Sequence, residues 1–225
     1  LAVITDNFAG MKVLTCNTLG SYTTGAGADR AGTLSATPTA TYLAAKDTMT
    51  MSIAVTAFQA NLVVAAGETI TVTGRNRLNL ATRKPIVDET GAQILFSGTV
   101  TAPVTLNGSG AGTLVITGPA VFEAAGAYNT VDSALTSGDV VTLGGAASKL
   151  IQPNLFFHKE AFAIGSVPIP KLYSTDTIAT TSDGLQIRVS RGASLRGNKN
   201  IVRFDFLPAY AALQPFFSGQ SFGTP

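Results

Sequence analysis

The feature that most constrains this chain is an alternation that begins at Met49. Met49, Met51, Ile53 and Val55 alternate with Thr50, Ser52, Ala54 and Thr56. A period of two puts the first set on one face of an extended strand and the second on the other, the signature of a half-buried β-strand. Four further segments read as strands. They are Thr69–Thr73 after a turn at Gly67–Glu68 and ended by Gly74, Gln93–Thr101 with a bend expected at Gly98, Thr113–Thr117 closed by Gly118–Pro119, and Asp139–Leu143 closed by Gly144–Gly145. Asn107–Gly112 reads as a loop between strands. Short strands punctuated by Gly and Pro favour a small antiparallel sandwich or barrel. Residues 15 to 46 are rich in Thr, Gly and Ala with weak periodicity, and Gly20–Ala28 reads as an extended loop.

A chain of 225 residues can bury a real core and form one or two domains. Charged residues make up 12%, well below the usual quarter or so. With 45% hydrophobic residues and a net charge of +2, the chain lacks the signature of disorder. Such a composition suits a β-rich protein whose surface is largely covered by neighbours, and it suits an ordinary β domain with a Thr-rich surface equally well. A charge excess of two makes no case for nucleic-acid binding, which usually needs a basic stripe. Cys16 stands alone, so no intrachain disulfide forms, which fits synthesis in a reducing cytoplasm. No run of about 18 apolar residues supplies a membrane helix. The opening Leu1–Asp6 has neither an initiator Met nor the layout of a signal peptide, and it reads as the middle of a longer chain.

Candidate chemistry is sparse. His158 is the only histidine, so a Ser-His-Asp or Cys-His arrangement would have to use it, with Cys16 or a serine as nucleophile. Gly219–Gly223 imitates the spacing of a nucleophile elbow, but with aromatic flanks. The simpler reading of His158 is a polar residue in a strand or turn of the core. One His and one Cys fall short of the ligands a metal site needs. Gly144–Lys149 and Gly108–Gly112 lack the phosphate-cradling spacing and read as turns. Asp88–Glu89 reads as a solvated turn. The expectation is therefore no enzyme, no catalytic, cofactor-binding or metal residues, and no cofactor.

The tail carries two strand-like segments, Gly184–Val189 and Ile201–Leu207, joined by the basic loop Arg191–Asn200. That loop could touch DNA or a neighbour's acidic patch, and a solvated hairpin tip is the plainer reading. Val202, Phe204 and Phe206 share one strand face and Ile201, Arg203 and Asp205 the other. Core packing is the default role of the aromatics Phe204, Phe206, Tyr210, Phe216 and Phe217, with roughly 1.5–3 kcal/mol per buried side chain. Part of this surface could instead seal a subunit contact.

The order of words in the tail resembles a known family. Asn154-Leu-Phe-Phe-His-Lys-Glu-Ala-Phe162, then Val167-Pro-Ile-Pro170, Gly184-Leu-Gln-Ile-Arg-Val189, Ile201–Leu207 and Ala209–Phe216 follow the C-terminal part of the P22-type phage coat proteins. The middle block matches too, in Ala66–Gly74, in Asn79–Arg83 with Leu80 replacing a proline, in Gly112–Pro119 with Gly118 as an extra residue, and loosely in Ala127–Val131. The matches run from about residue 7 to 216.

This resemblance implies an α+β, β-rich fold: an HK97-type capsid shell core, in apical and peripheral domain parts, carrying an inserted antiparallel β-barrel-like domain. Residues 1–14 and 150–225 would form the discontinuous shell core, and residues 15–149 the insertion. The N-arm, extended loop and spine helix would lie in a preceding half. It further implies a structural subunit of an icosahedral tailed-phage capsid that self-assembles as hexamers and pentamers around the genome. Scaffolding and portal proteins would be partners, with weak contact to packaged DNA, no membrane, and a place in the virion after assembly in the host cytoplasm. The rival reading is a β-rich adhesin or tail-fibre module binding a receptor or glycan, which explains the middle block but not the ordered tail.

Overall fold

A computed structural model describes residues 2–8, 10–194 and 196–222. The opening Leu1–Asp6 and the apolar piece Phe8–Leu14 are therefore seen without Leu1 and Ala9, the basic loop without Leu195, and the elbow-like Gly219–Gly223 without its last glycine, which lie outside the described residues.

The chain opens with strands β1 (Ala2–Phe8) and β2 (Met11–Thr15), then β3 (Tyr22–Thr23) and β4 (Ala31–Leu34). One helical turn, α1 (Tyr42–Ala45), precedes β5 (Thr50–Thr56), β6 (Val63–Val64), β7 (Thr69–Asn76) and β8 (Leu95–Val100). Next come β9 (Val104–Thr105), β10 (Gly112–Thr117), β11 (Val140–Leu143), β12 (Leu150–Ile151) and β13 (Asn154–Phe157). The tail holds β14 (Phe162–Ser166), β15 (Thr177–Thr180), β16 (Gln186–Ser194), β17 (Lys199–Asp205), β18 (Pro208–Ala212) and β19 (Ser218–Ser221). Two compact units result, Leu1–Phe157 with Ser218–Pro225, and His158–Phe217.

The first unit is built around a closed antiparallel barrel in the order β10-β5-β4-β11-β7-β8. Closure leaves no unpaired edge within the ring. Its interior is the apolar face of the alternation: Met51, Ile53, Val55, Ile70, Val72, Phe96, Leu114, Ile116 and Val141 pack in one cluster. All five alternating segments are barrel strands. The sixth, β4, lies in the weakly periodic stretch, where Leu34 alone brings a large apolar side chain inward.

Two glycines act differently from expectation. Gly74 does not end β7; the strand runs on to Asn76, with a register shift against β8 between Val72 and Asn76 and φ of 76° at Gly74. The positive φ suits a bulge rather than a stop. Gly98 does not bend β8. It pairs in register with Ile70, and a Cβ there would lie 2.9 Å from Ile116 Cδ1, so its lack of a side chain serves close packing.

Outside the barrel, β1 pairs with β2, β3 with β12, β6 with β9, and β13 with β19. The unit formed by His158–Phe217 holds the β14–β18 pair and a three-stranded sheet β15-β16-β17. Much of the basic loop is strand: Arg191 lies in β16 and Lys199–Asn200 in β17, leaving the turn between Ser194 and Lys199. The expected aromatic core is not formed among the described residues. Phe204 is 72% exposed and Tyr210 73%, and Phe206 and Phe217 are also exposed. Alternation correctly sorted β17 into two faces, but Lys199–Phe204 are exposed on both.

Candidate functional site

The most elaborate polar arrangement sits where the chain enters and leaves the barrel. β3 and β12 pair at Tyr22↔Ile151 and Thr23↔Leu150. Beyond them Thr24 donates its N–H to Lys149 O at 3.0 Å, while its Oγ1 donates to Ala146 O and accepts from Lys149 N–H. The carboxylate of Glu68 is wholly buried behind this clasp. Its Oε1 accepts from the N–H groups of Gly25 and Ala65, each at 3.0 Å, and its Oε2 takes a charge-assisted bond from Arg30. Arg30 also donates to Gly25 O and Gly144 O. One ion pair thus ties the incoming strand, the turn before β7 and the outgoing strand together. The Tyr22 ring lies over Gly67 beside the pair, and burial, together with the charge of Glu68, raises its hydroxyl pKa.

The turn expected at Gly67–Glu68 carries a role that local sequence does not reveal. The turn exists, but its acid points inward. The available signal was Glu68 inside the Ala66–Gly74 phrase, an acid immediately before a strand whose face is otherwise apolar.

A second polar lock joins β7 to the loop before β11. Arg75 binds Asp139 through two bonds, Nε to Oδ2 at 2.8 Å and Nη2 to Oδ1 at 2.7 Å, and also donates to Ser133 Oγ and Thr136 Oγ1. The Arg75 guanidinium holds the Asp139 carboxyl below its usual range. In the tail unit, Arg188 reaches across to Asp205, and the two bonds hold that carboxyl low as well. A depressed folded-state pKa stabilises the fold above the unfolded Asp value of about 3.9 and loses that contribution as pH falls through the folded value. The melting temperature is therefore expected to be flat from neutral pH to about 5 and to fall below about 4. Arg75→Met should make that acid slope shallower in a melt series. An unchanged slope would remove Asp139 from the cause.

The residues singled out for chemistry stay apart. His158 is exposed in a turn, its N–H donating to Phe217 O and its ring edge-on to the Phe217 ring, with centroids 5.9 Å apart. It is a turn residue, but not one of a core. Cys16 Sγ lies 3.1 Å from Thr18 Oγ1, and that contact lowers the thiol pKa. Ser221 lies on β19 opposite Asn154, not on a strand-to-helix turn. Asp88 closes its own hairpin, accepting from Thr90 N–H, Thr90 Oγ1 and Ala92 N–H. Asn107 does the same for Ser109 and Ala111, so two hairpins share one turn chemistry, Asx-x-Ser/Thr-Gly-Ala. Gly145 and Gly110 adopt positive φ in turns. Among the described residues no three His, Cys, Asp or Glu side chains gather to hold a metal ion.

What the molecule presents instead is apolar strand surface. Phe156, Phe157, Phe162, Ile164, Val202 and Phe204 are all exposed. Strands of both units carry such side chains, the kind that form an interaction surface where they lie side by side. In this 225-residue chain Phe204→Ala is expected to leave a thermal melt within about 0.5 kcal/mol, as surface changes do. A loss near the ~3–5 kcal/mol of a core phenylalanine would mean the ring is packed after all.

Beyond the packed barrel and the exposed apolar strands, comparison with known proteins gives the class of the molecule. Residues 1–223 match the family described as P22 coat protein, gene protein 5, and the chain belongs to that family. It is 33% identical over 227 residues to the major capsid protein of Acyrthosiphon pisum secondary endosymbiont phage 1. The alignment takes in all of this chain and 53% of that protein, so the chain spans about half the length of the curated relative it matches.

Proposed function

We propose that this chain is the C-terminal portion of a tailed-phage capsid subunit, a structural and non-enzymatic protein that self-assembles into the icosahedral shell around the genome. The single observation that carries the reading is the family match along residues 1–223, which takes in the barrel and the tail together. An adhesin module would account for the barrel alone. The exposed strands fit the proposal physically, because a subunit that buries its apolar faces against neighbours leaves them bare when alone. Each contact can be weak, since the effective concentration within a lattice is high.

In this reading residues 1–14 and 150–225 contribute to an HK97-type shell core, completed by a preceding half of the polypeptide, and residues 15–149 form the inserted domain. The partners are other copies in hexamers and pentamers, with scaffolding and portal proteins, and the place is the virion.

Expression of the full-length coat polypeptide, followed by electron microscopy and sedimentation of the lysate, tests the assembly. Icosahedral shells are the expected outcome; a soluble trimer that binds glycans would overturn it. The domain division has its own test. Residues 15–149 expressed alone should melt cooperatively, with protected amides in Met51–Val55, Thr69–Thr73 and Thr113–Thr117. A fragment with no transition and no protection would rule out an independent insertion.

A further inference from the structure

In the tail unit β16 and β17 extend well past β15. The edge strand pairs only Thr177–Thr180 with Val189–Gln186, whereas β16 and β17 continue in register to Ser194↔Lys199. Residues 190–194 and 199–203 therefore form a two-stranded ribbon with no third strand among the described residues. Such a ribbon is marginal alone and exposes both faces.

The charges on this ribbon are one-sided. The hairpin holds five cations, Arg188, Arg191, Arg196, Lys199 and Arg203, and a single acid, Asp205. Arg188 is buried and binds Asp205 Oδ2 at 2.6 Å, while Arg203 takes Asp205 Oδ1. One carboxylate is thus shared by two guanidiniums. Arg191, Arg196 and Lys199 are exposed and have no ion-pair partner among the described residues. The register fixes where they point. Lys199 and Arg203 lie on one face with Ser194 and Ser190, Arg191 lies on the other with Val202, and Arg196 is in the turn.

Several acids of a second copy are already engaged: Glu68, Asp139 and Asp47 are paired to Arg30, Arg75 and Lys46, Asp176 is buried, and Asp88 is held by its own hairpin. Glu89, Glu160 and Asp183 remain exposed, so a protein neighbour is the competing outcome of the test below. Cations on both faces and at the tip suit a partner with negative charge on two walls. Duplex DNA is such a partner, since its major groove is about 12 Å wide, admits a two-stranded ribbon and is lined by phosphates on either side.

We infer that the β16–β17 ribbon is a sequence-independent contact for duplex nucleic acid through Arg191, Arg196, Lys199 and Arg203. The inference rests on the capsid reading for its setting, because an enclosed genome supplies the duplex. It adds a site to a chain whose overall charge of +2 gave no hint of one. No side chain on the ribbon is committed to a base-reading geometry, so the contact is to phosphates.

The experiment uses unassembled full-length subunits and a short fluorescent duplex of random sequence, with binding followed by anisotropy across a salt series. Three to four phosphate contacts should weaken binding by roughly 40- to 150-fold between 50 and 200 mM salt. In R191E/R196E/K199E the logarithmic salt slope should shrink by about 0.9 for each cation removed, and the three glutamine changes, which remove the same cations, should shrink it as much. Both variants must melt like the parent, which separates lost contact from lost fold. Equal affinity and slope in parent and variants would overturn the inference, as would a parent that does not bind the duplex. Variants that bind the duplex normally but fail to self-associate would also overturn it, assigning the ribbon to a protein neighbour. Shell formation by the parent is scored separately by microscopy, so the capsid reading can stand if this inference fails.

Discussion

Glu68→Ala is expected to destabilise the barrel by about 3–5 kcal/mol, the cost of leaving a buried partner charge uncompensated. Arg30 would keep its place among Gly25 and Gly144 carbonyls but lose its counter-charge, and the N–H groups of Gly25 and Ala65 would lose their acceptor. Glu68→Gln retains an acceptor and shape but not the charge, so its loss should be smaller. The double change Arg30→Met/Glu68→Leu should recover much of the stability, because replacing a whole buried pair by apolar groups is often neutral or better. Thermal melts of all three, with amide exchange at Gly25 and Lys149, provide the measurement. A single variant within about 1 kcal/mol of the parent would show that the pair is not the tie between entry and exit strands.

Gly110→Val should be nearly as damaging, for a reason invisible in any count of contacts. Gly110 has φ of 68°, and a Cβ there would lie 1.8 Å from Phe58 O. Strain from a left-handed backbone costs on the order of 1–3 kcal/mol, and overpacking about as much again. The hairpin would have to open, separating Phe58 N–H from Gly110 O and disturbing the start of β10. Gly108→Ala in the same turn is the control, since nothing lies within 4 Å of its Cβ position. A melt in which both variants behave alike would contradict the close approach.

Local pattern was enough where one face of a strand meets a core. Alternation alone places Met51, Ile53 and Val55 on one face, which the barrel buries, because pleating sends every second side chain to the same side, and Thr113–Thr117 and Asp139–Leu143 are legible as strands. Turn chemistry was legible for a similar reason. Asp88 and Asn107 bond to backbone groups two to four residues on, within reach of sequence neighbours.

The rest depended on what distant segments bring together. Glu68 meets Arg30 and Gly25 across some forty residues, and Arg75 meets Asp139 across about sixty. No spacing rule connects such pairs; closing the barrel does. β4 escaped notice because its four residues carry too few large apolar side chains to show a period, yet ring closure needs it between β5 and β11. Phe204 shows the converse. Sequence by itself determined which side chains share its face, since that depends on pleat alone. Whether the face is buried is decided by what packs on it, and Phe204 is 72% exposed among the described residues, so only the tertiary structure could show an exposed face where the aromatic pattern suggested a core.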